Sequence, residues 1–373
     1  MAHLQKSSGM KTNTFPCRKV NPMMKRTPHL VTLCATAIVM VLLAIVPLSA
    51  QETNKEPIVR FIGGTTGIPE GTAGYEKWMI YRDRVAALSG GEVQLTPMVS
   101  GELGSEENIL NGLRRGRIQV ANLSGLVIGS LVPEAALLQT PYLFDSTAQA
   151  DYVYDTVLSD VFTHLLVPYG LTFLSWDEVG FHHVYGKTPL LTPEDMKGVR
   201  FRVSSGIAAR LFAEAISADV IPLSFNENII GLQTGLVDAG ANATILYAGT
   251  GIAEEAPYLT LTGHMLATNF MVASTSWLAS LSPEQQAVVR QGWLPIDESR
   301  AMSRTEEADF MARKSDIGFT AQTLSPAQRE AWQRASQPVT QALIDYIGGQ
   351  SQDIFDTIQI AKQKFTAEAL IKR

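Results

Sequence analysis

The sequence predicts an α/β fold organised as two strand-and-helix domains with several chain crossings between them, on three observations. Short apolar strand-like runs alternate with helical stretches through the first two thirds of the chain. The alternation starts again after a helical interruption at about residues 146–166. The length of 373 residues, at roughly 150 per domain, suits two domains. A composition of 46% hydrophobic and 18% charged residues supplies a core and excludes disorder or collagen-like repeats.

The elements follow in order. Ile58 to Gly63 reads as a strand, and Ala73 to Leu88 has helical spacing before the Gly90-Gly91 stop. Val93 to Val99 is a strand, Glu106 to Arg115 a helix and Ile118 to Ala121 a short buried strand, which together predict a parallel sheet covered by helices. Beyond the helical stretch, Leu171 to Trp176 and Phe181 to Tyr185 read as two strands. Thr192-Pro193-Glu194-Asp195 has the N-cap, proline and acid of a helix start. Strands at Arg200–Val203, Val220–Pro222 and Val237–Ala241 alternate with helices at Ile207–Ile216 and Asn226–Thr234. The last third reads as mainly helical, with capping boxes at Ser282 and Ser325 and a strand-like Phe319 to Leu324. Pro295 falls within the helical pattern opened by Ser282 and predicts a kink or break.

Residues 1–50 are a different kind of sequence. They hold Lys6, Lys11, Arg18, Lys19, Lys25 and Arg26 and no acid, then an apolar stretch from Leu30 to Val46 and small residues up to Ala50. That is the layout of a secretory signal peptide, and it predicts export to the periplasm; an uncleaved membrane anchor is the competing reading. Leu33 stands before Cys34 where a lipoprotein site needs a small residue, so lipidation is rejected. Without the leader's six basic residues, 24 Lys and Arg face 36 Asp and Glu, a formal charge of −12. Such a balance argues against a nucleic-acid partner. Cys17 and Cys34 both lie in the leader, so the exported part is expected to depend on its core alone, without disulfide or thiol chemistry.

No nucleophile elbow, zinc-protease helix or P-loop is present, and Gly249-Thr250-Gly251 lacks the third glycine of a dinucleotide fingerprint. His182 and His183 are adjacent on a strand, so they face opposite ways and cannot chelate one ion together. Glu106-Glu107 and Glu254-Glu255 read as solvated helix surface. No cofactor and no metal is called for. An exported two-domain α/β protein without a catalytic group suggests a binding protein whose ligand sits between the domains, at strand ends.

The residues then resemble a known family. Gly101-Glu102-Leu103-Gly104-Ser105, Pro141-Tyr142-Leu143-Phe144, Thr192 to Gly198, Arg202-Val203, Leu232-Gln233, Val237-Asp238, Tyr258 to His264 and Ser282 to Gln285 resemble, in order and separation, the solute-binding proteins of tripartite ATP-independent periplasmic (TRAP) transporters of the DctP type. The resemblance implies a periplasmic binding protein-like fold, a cleft that closes on a small organic acid, and a long helix bridging both domains. It also implies delivery to TRAP membrane permease subunits, with no chemistry performed and no stable membrane insertion once the leader is removed. The domain boundaries expected are 51–179 plus about 268–307 for the first and 180–267 plus about 318–361 for the second. The bridging helix is expected at about 282–316 and a helical tail at 362–373.

By the same resemblance Arg202 matches the family's ligand arginine, whose planar fork suits a carboxylate. On periodicity alone, Arg200 and Arg202 could instead share an exposed strand face and pair with surface acids. Asn242 matches a family asparagine, though Ala239-Gly240-Ala241-Asn242-Ala243 replaces the usual surroundings, and a turn residue is its other reading. Phe225 is either a cleft aromatic or core. His182 stands where carboxylate binders commonly carry a second arginine, which implies a ligand with less negative charge there; a structural histidine is the alternative. Ser205, just past the Arg202 strand, joins the candidates. Thr65, Asn122 and Ser124 end strands of the first domain as ligand donors or turn residues, and Trp176 either covers the ligand or packs. Two other classes stay open: a ligand-binding module for a membrane sensor, and an exported enzyme with an unrecognised catalytic pair.

Overall fold

The fold was analysed in a computed structural model, which describes residues 58–371. The expected leader at 1–50 lies outside the described residues. Three strands, β1 (Val59–Gly64), β2 (Val93–Met98) and β3 (Val120–Ser124), pair in parallel in the order β2-β1-β3. Their crossovers are α1 (Ala73–Leu88) and α2 (Glu106–Arg114). Parallel neighbours require such crossovers, and each helix begins where a hydroxyl satisfies a free N–H. Thr72 caps α1 through Tyr75 N–H, and Ser105 caps α2 through Asn108 N–H.

A second set, β5 (Arg200–Val203), β6 (Asp219–Pro222) and β7 (Ala239–Ala243), is also parallel, in the order β7-β5-β6. Two long strands join the sets. β4 (Leu171–Gly186) and β8 (Tyr258–Ser274) pair antiparallel, and at about 3.3 Å per residue each extends roughly 50 Å. β3 pairs with the C-terminal half of β8, and β7 with the C-terminal half of β4. The short β9 (Thr320–Gln322) adds to the start of β8. The result is one mixed sheet, β2-β1-β3-β8-β4-β7-β5-β6, forming two α/β lobes within one compact unit.

Four expectations are corrected here. The first three strands are parallel as expected, but the sheet as a whole is mixed, because β8, in the third of the chain read as helical, pairs antiparallel with β3 and β4. Its run from Met265 to Ser274 is buried almost throughout, so it shows no alternation, and a doubly covered strand then looks like a buried helix. The two strands read at Leu171–Trp176 and Phe181–Tyr185 are one. The polar Asp177-Glu178 between them resembles a turn but continues the ladder, with register shifts at Phe173/Ser175, Glu178/Gly180 and His182/Val184. Gly180, at φ 115°, occupies a backbone region that side chains disfavour. The segment at 282–316 is broken into Pro283–Gly292 and Ile296–Ala312, followed by the short Lys314–Ile317, since Pro295 caps the second and breaks the run as its ring dictates. Finally, Ser351–Ile371 is one helix. Its Ile354 and Ile358 share a cluster with Leu171 and Trp176, so residues 351–361 pack on the first lobe rather than the second.

Each lobe is a sheet covered on both faces. In the first, Phe61, Trp78, Tyr81 and Trp293 fill one side, and Leu123, Phe162, Trp176 and Phe270 the other. In the second, neighbours Val184 and Tyr185 point into different clusters, as strand alternation requires. The helix Ile296–Ala312 lies against both lobes. Arg300 and Arg304 pair with Asp151, Asp155 and Glu178, while Glu307 accepts from Thr244.

Candidate functional site

The strand ends of both lobes converge on one cleft enclosing about 160 Å³, space for on the order of ten water-sized groups. Parallel strands aim their C-terminal ends, and the loops that follow, at one side of a sheet, which is why the cleft gathers Thr65, Ser124, Val203-Ser204 and Asn242. Gly64 at the end of β1 has no room for a side chain, since a Cβ there would press on the Met98 carbonyl.

Arg202 sits on β5 between Ile221 of β6 and Gly240 of β7, is 8% exposed, and lines the cleft. Its Nε donates to the Leu223 carbonyl at 3.0 Å. Among the described residues its terminal nitrogens make no hydrogen bond and no carboxylate lies within ion-pair distance. Burial pulls its pKa down, while Tyr185, Glu106, Glu107 and Glu227 act the other way. Arg200, on the same strand face, does pair with a surface acid, with two bonds of 2.7 Å to Asp238. The two arginines therefore have different surroundings: one lies at the exposed start of the strand, the other at its buried end.

His182, paired across the sheet with Ala243 and Met265, also lines the cleft. Burial, reinforced by His183 and Arg202, pushes its pKa down to about 3, so the imidazole is neutral at pH 7. His183 faces away and accepts from Gly263 N–H through Nδ1. Asn242 is buried in the cleft wall, with Oδ1 accepting from Ala243 N–H at 3.0 Å. Phe225 lines the cleft and also packs against the core of the second lobe.

From the first lobe come Thr65, Asn122 and Ser124. Ser124 donates its hydroxyl and its N–H to Glu106, at 2.7 and 2.6 Å, so its donors are occupied. Asn122 donates to Asp177 at 2.6 Å. Two sequence candidates lie elsewhere. Trp176 faces the apolar side of β4, 1% exposed among Tyr154, Phe162 and Phe270, with Nε1 donating to Ser159; it is the next residue, Asp177, that lines the cleft. Ser205 is exposed outside the main cleft, donating to Glu107 at 2.9 Å.

Several lining residues carry no sequence signal. Lys77, 1% exposed on α1, donates to Asp177 at 2.6 Å and to Ser303 at 2.8 Å. Glu178 takes Arg304 in two bonds. Glu106, read from sequence as solvated surface, lines the cleft instead, and burial raises its pKa against the opposing pull of Ser124 and Arg202. His264 stacks on Phe212 at 4.1 Å in the same wall. Acidic positions on α2 and β4 look like ordinary surface until the lobes are assembled. Among the described residues no group of three or more His, Cys, Asp and Glu is placed to hold a metal ion, and no helix is long and apolar enough to cross a membrane.

The family of bacterial extracellular solute-binding proteins, family 7 (DctP), matches residues 66–345. The chain is 28% identical over 276 residues to the ectoine/5-hydroxyectoine-binding periplasmic protein UehA of Ruegeria pomeroyi, covering 72% of this chain and 80% of that one. It is 27% identical over 278 residues to the 2,3-diketo-L-gulonate-binding periplasmic protein YiaO of Escherichia coli, covering 74% and 80%. The crystal structure of the sugar acid binding protein DctPAm of Advenella mimigardefordensis in complex with galactonate superposes with a TM-score of 0.76 at 25% identity, covering 82% of this chain and 99% of that one. With its two lobes, its cleft and three quarters of its length matched, the chain belongs to the DctP-type solute-binding proteins of TRAP transporters, a family of binding proteins and not of enzymes.

Proposed function

We propose that the protein is a periplasmic receptor that takes a small organic acid into the cleft, with Arg202 receiving the carboxylate and Asn242 assisting, and passes it to a TRAP permease. The observation that carries this reading is Arg202 itself. A guanidinium that is 8% exposed, held at Nε by the Leu223 carbonyl and without an ion pair among the described residues, is a buried charge lacking its partner. Buried charges are stable only when paired, and an arriving carboxylate meets the planar fork with two charge-assisted bonds. The neutral His182 beside it supplies a hydrogen bond and no fixed charge. Support also comes from relatives whose names carry acids, diketogulonate and galactonate among them. On this reading residues 1–50 are the export signal, and the lobes around β4 and β8 are the closing domains.

Native mass spectrometry of the purified protein, followed by release of the bound molecule, tests the reading directly. A carboxylic acid is expected, bound at least about thirtyfold more weakly by Arg202→Ala. A released molecule without an acid group, or unchanged affinity in the variant, overturns it.

A further inference from the structure

Opposite His183 the two long strands fall out of step. Val184 faces Thr260 and His182 faces Met265, so four residues of β8, Leu261 to His264, stand against one of β4. Extra residues on one strand bend it and re-aim a side chain, and such bulges gather beside functional sites. This one is pinned from three sides. Gly263, at φ 53°, donates its N–H to His183 Nδ1 at 2.9 Å. Val184 N–H donates to Thr262 Oγ1 at 3.3 Å, and the His264 carbonyl accepts from Tyr142 N–H at 2.7 Å. The bulge places His264 in the cleft wall.

The ring is held in one orientation and one tautomer. Phe212 stacks on it with the planes 1° apart, and Nδ1 lies 2.8 Å from Thr262 Oγ1. That hydroxyl already accepts from Val184, and Nδ1 is the one acceptor its own proton can reach among the described residues. Nδ1 therefore accepts. Burial keeps the ring neutral, so its single proton is on Nε2. Among the described residues Nε2 makes no hydrogen bond. The acids lining the cleft have donors of their own: Glu106 has Ser124, Asp177 has Lys77 and Glu178 has Arg304. Glu306, on the helix Ile296–Ala312, has Ala73 N–H at 2.9 Å.

We infer that His264 is a ligand contact, its Nε2–H donating to an uncharged oxygen of the molecule whose carboxylate Arg202 receives. The inference rests on the organic-acid reading above and adds to it a residue that selects among acids. β8 and β5 are three strand spacings apart in the order β8-β4-β7-β5, roughly 14 Å of backbone separation. The oxygen that His264 meets therefore belongs to the acid's chain and not to the carboxyl group at Arg202. A bare hydrocarbon chain leaves the N–H without a partner once the cleft is shut, and that loss separates hydroxylated acids from plain ones.

Hexanoate and its 2-, 4- and 6-hydroxy derivatives, titrated calorimetrically into the ligand-stripped protein at pH 7, test the contact. The 4- or 6-hydroxy acid is expected to bind at least about tenfold tighter than hexanoate. In His264→Phe, which keeps a ring against Phe212, that advantage is expected to fall below about threefold while hexanoate changes by less than about twofold. In the unmodified protein, the His264 Nε2 signal in nitrogen-15 NMR is expected to move with the tighter hydroxy acid and to stay in place with hexanoate, a response that a ring serving only to pack does not give. Neither the 4- nor the 6-hydroxy acid ahead of hexanoate, an advantage that survives His264→Phe, or an Nε2 signal indifferent to the hydroxyl overturns the contact. If binding still depends on Arg202, the organic-acid reading stands. No Arg202-dependent binding by any of the four counts against both.

Discussion

Ser205 and Glu107 meet across the edge of the cleft, the serine hydroxyl of one lobe donating to the carboxylate of the other at 2.9 Å. Nearby, Asn226 Nδ2 reaches the Gly104 carbonyl at 3.5 Å. These contacts exist only while the lobes are together, so they contribute to the closed state and not to the ligand's own bonds. Solvent screening reduces an exposed hydrogen bond to a charged group to about 0.5–1 kcal/mol net. Ser205→Ala is therefore expected to speed ligand dissociation about two- to fivefold with little effect on association, measured by stopped flow. A slower association with unchanged dissociation would contradict this role.

Arg202 without a ligand is a buried charge, so its removal relieves the empty protein. Arg202→Met is expected to leave the thermal midpoint of the ligand-stripped protein unchanged or higher, while abolishing the midpoint rise caused by ligand. A fall of several degrees in the empty state would mean that the guanidinium is balanced by a carboxylate of the protein.

The pair Lys77–Asp177 behaves in the opposite way. Both members are buried, and Asp177 also accepts from Ser299 and Asn122. Lys77→Met leaves that carboxylate inside the protein without its counter-charge, at a cost of about 3–5 kcal/mol. Denaturant unfolding measures the loss, and Lys77→Met combined with Asp177→Asn is expected to recover part of it.

Acid should loosen the second lobe before the carboxylates titrate. His182 has its pKa pushed down to about 3 and His183 to about 4, both chiefly by burial, and His264 is lowered as well. Above about pH 6.5 the folded and unfolded states are both neutral at these rings, and no penalty arises. Below it the unfolded chain takes up protons that the folded one refuses, so stability falls with pH until the folded value is reached. For His182 alone this amounts to about 2 kcal/mol by pH 5. His182→Gln should flatten that part of the stability profile; an unchanged slope would show that the ring is protonated in the folded protein.

What could be read from the sequence was what depends on near neighbours. The capping boxes at Ser282 and Ser325, the bounds of α1 and the break at Pro295 are set by local bonds and sterics, and each stands where expected. Arg202, Asn242, Thr65, Asn122 and Ser124 line the cleft because their strands end there, and His182 lines it from within β4. β8 escaped notice because both of its faces are covered, which removes the alternation that marks a strand. Lys77, Glu106 and Glu306 escaped for a different reason. A charged residue on a helix looks solvated until another element, distant in sequence, is laid over it. Trp176 shows the converse, since a strand-end aromatic became an interior one once Asp177 was seen to extend the ladder.

The lobes have no slender tether. Two continuous ribbons of backbone, kinked at the register shifts near Gly180, pass from one half to the other. Opening must therefore flex those ribbons along their length, not swing the halves on a pin. A receptor built this way moves its halves only along the path that the paired strands allow.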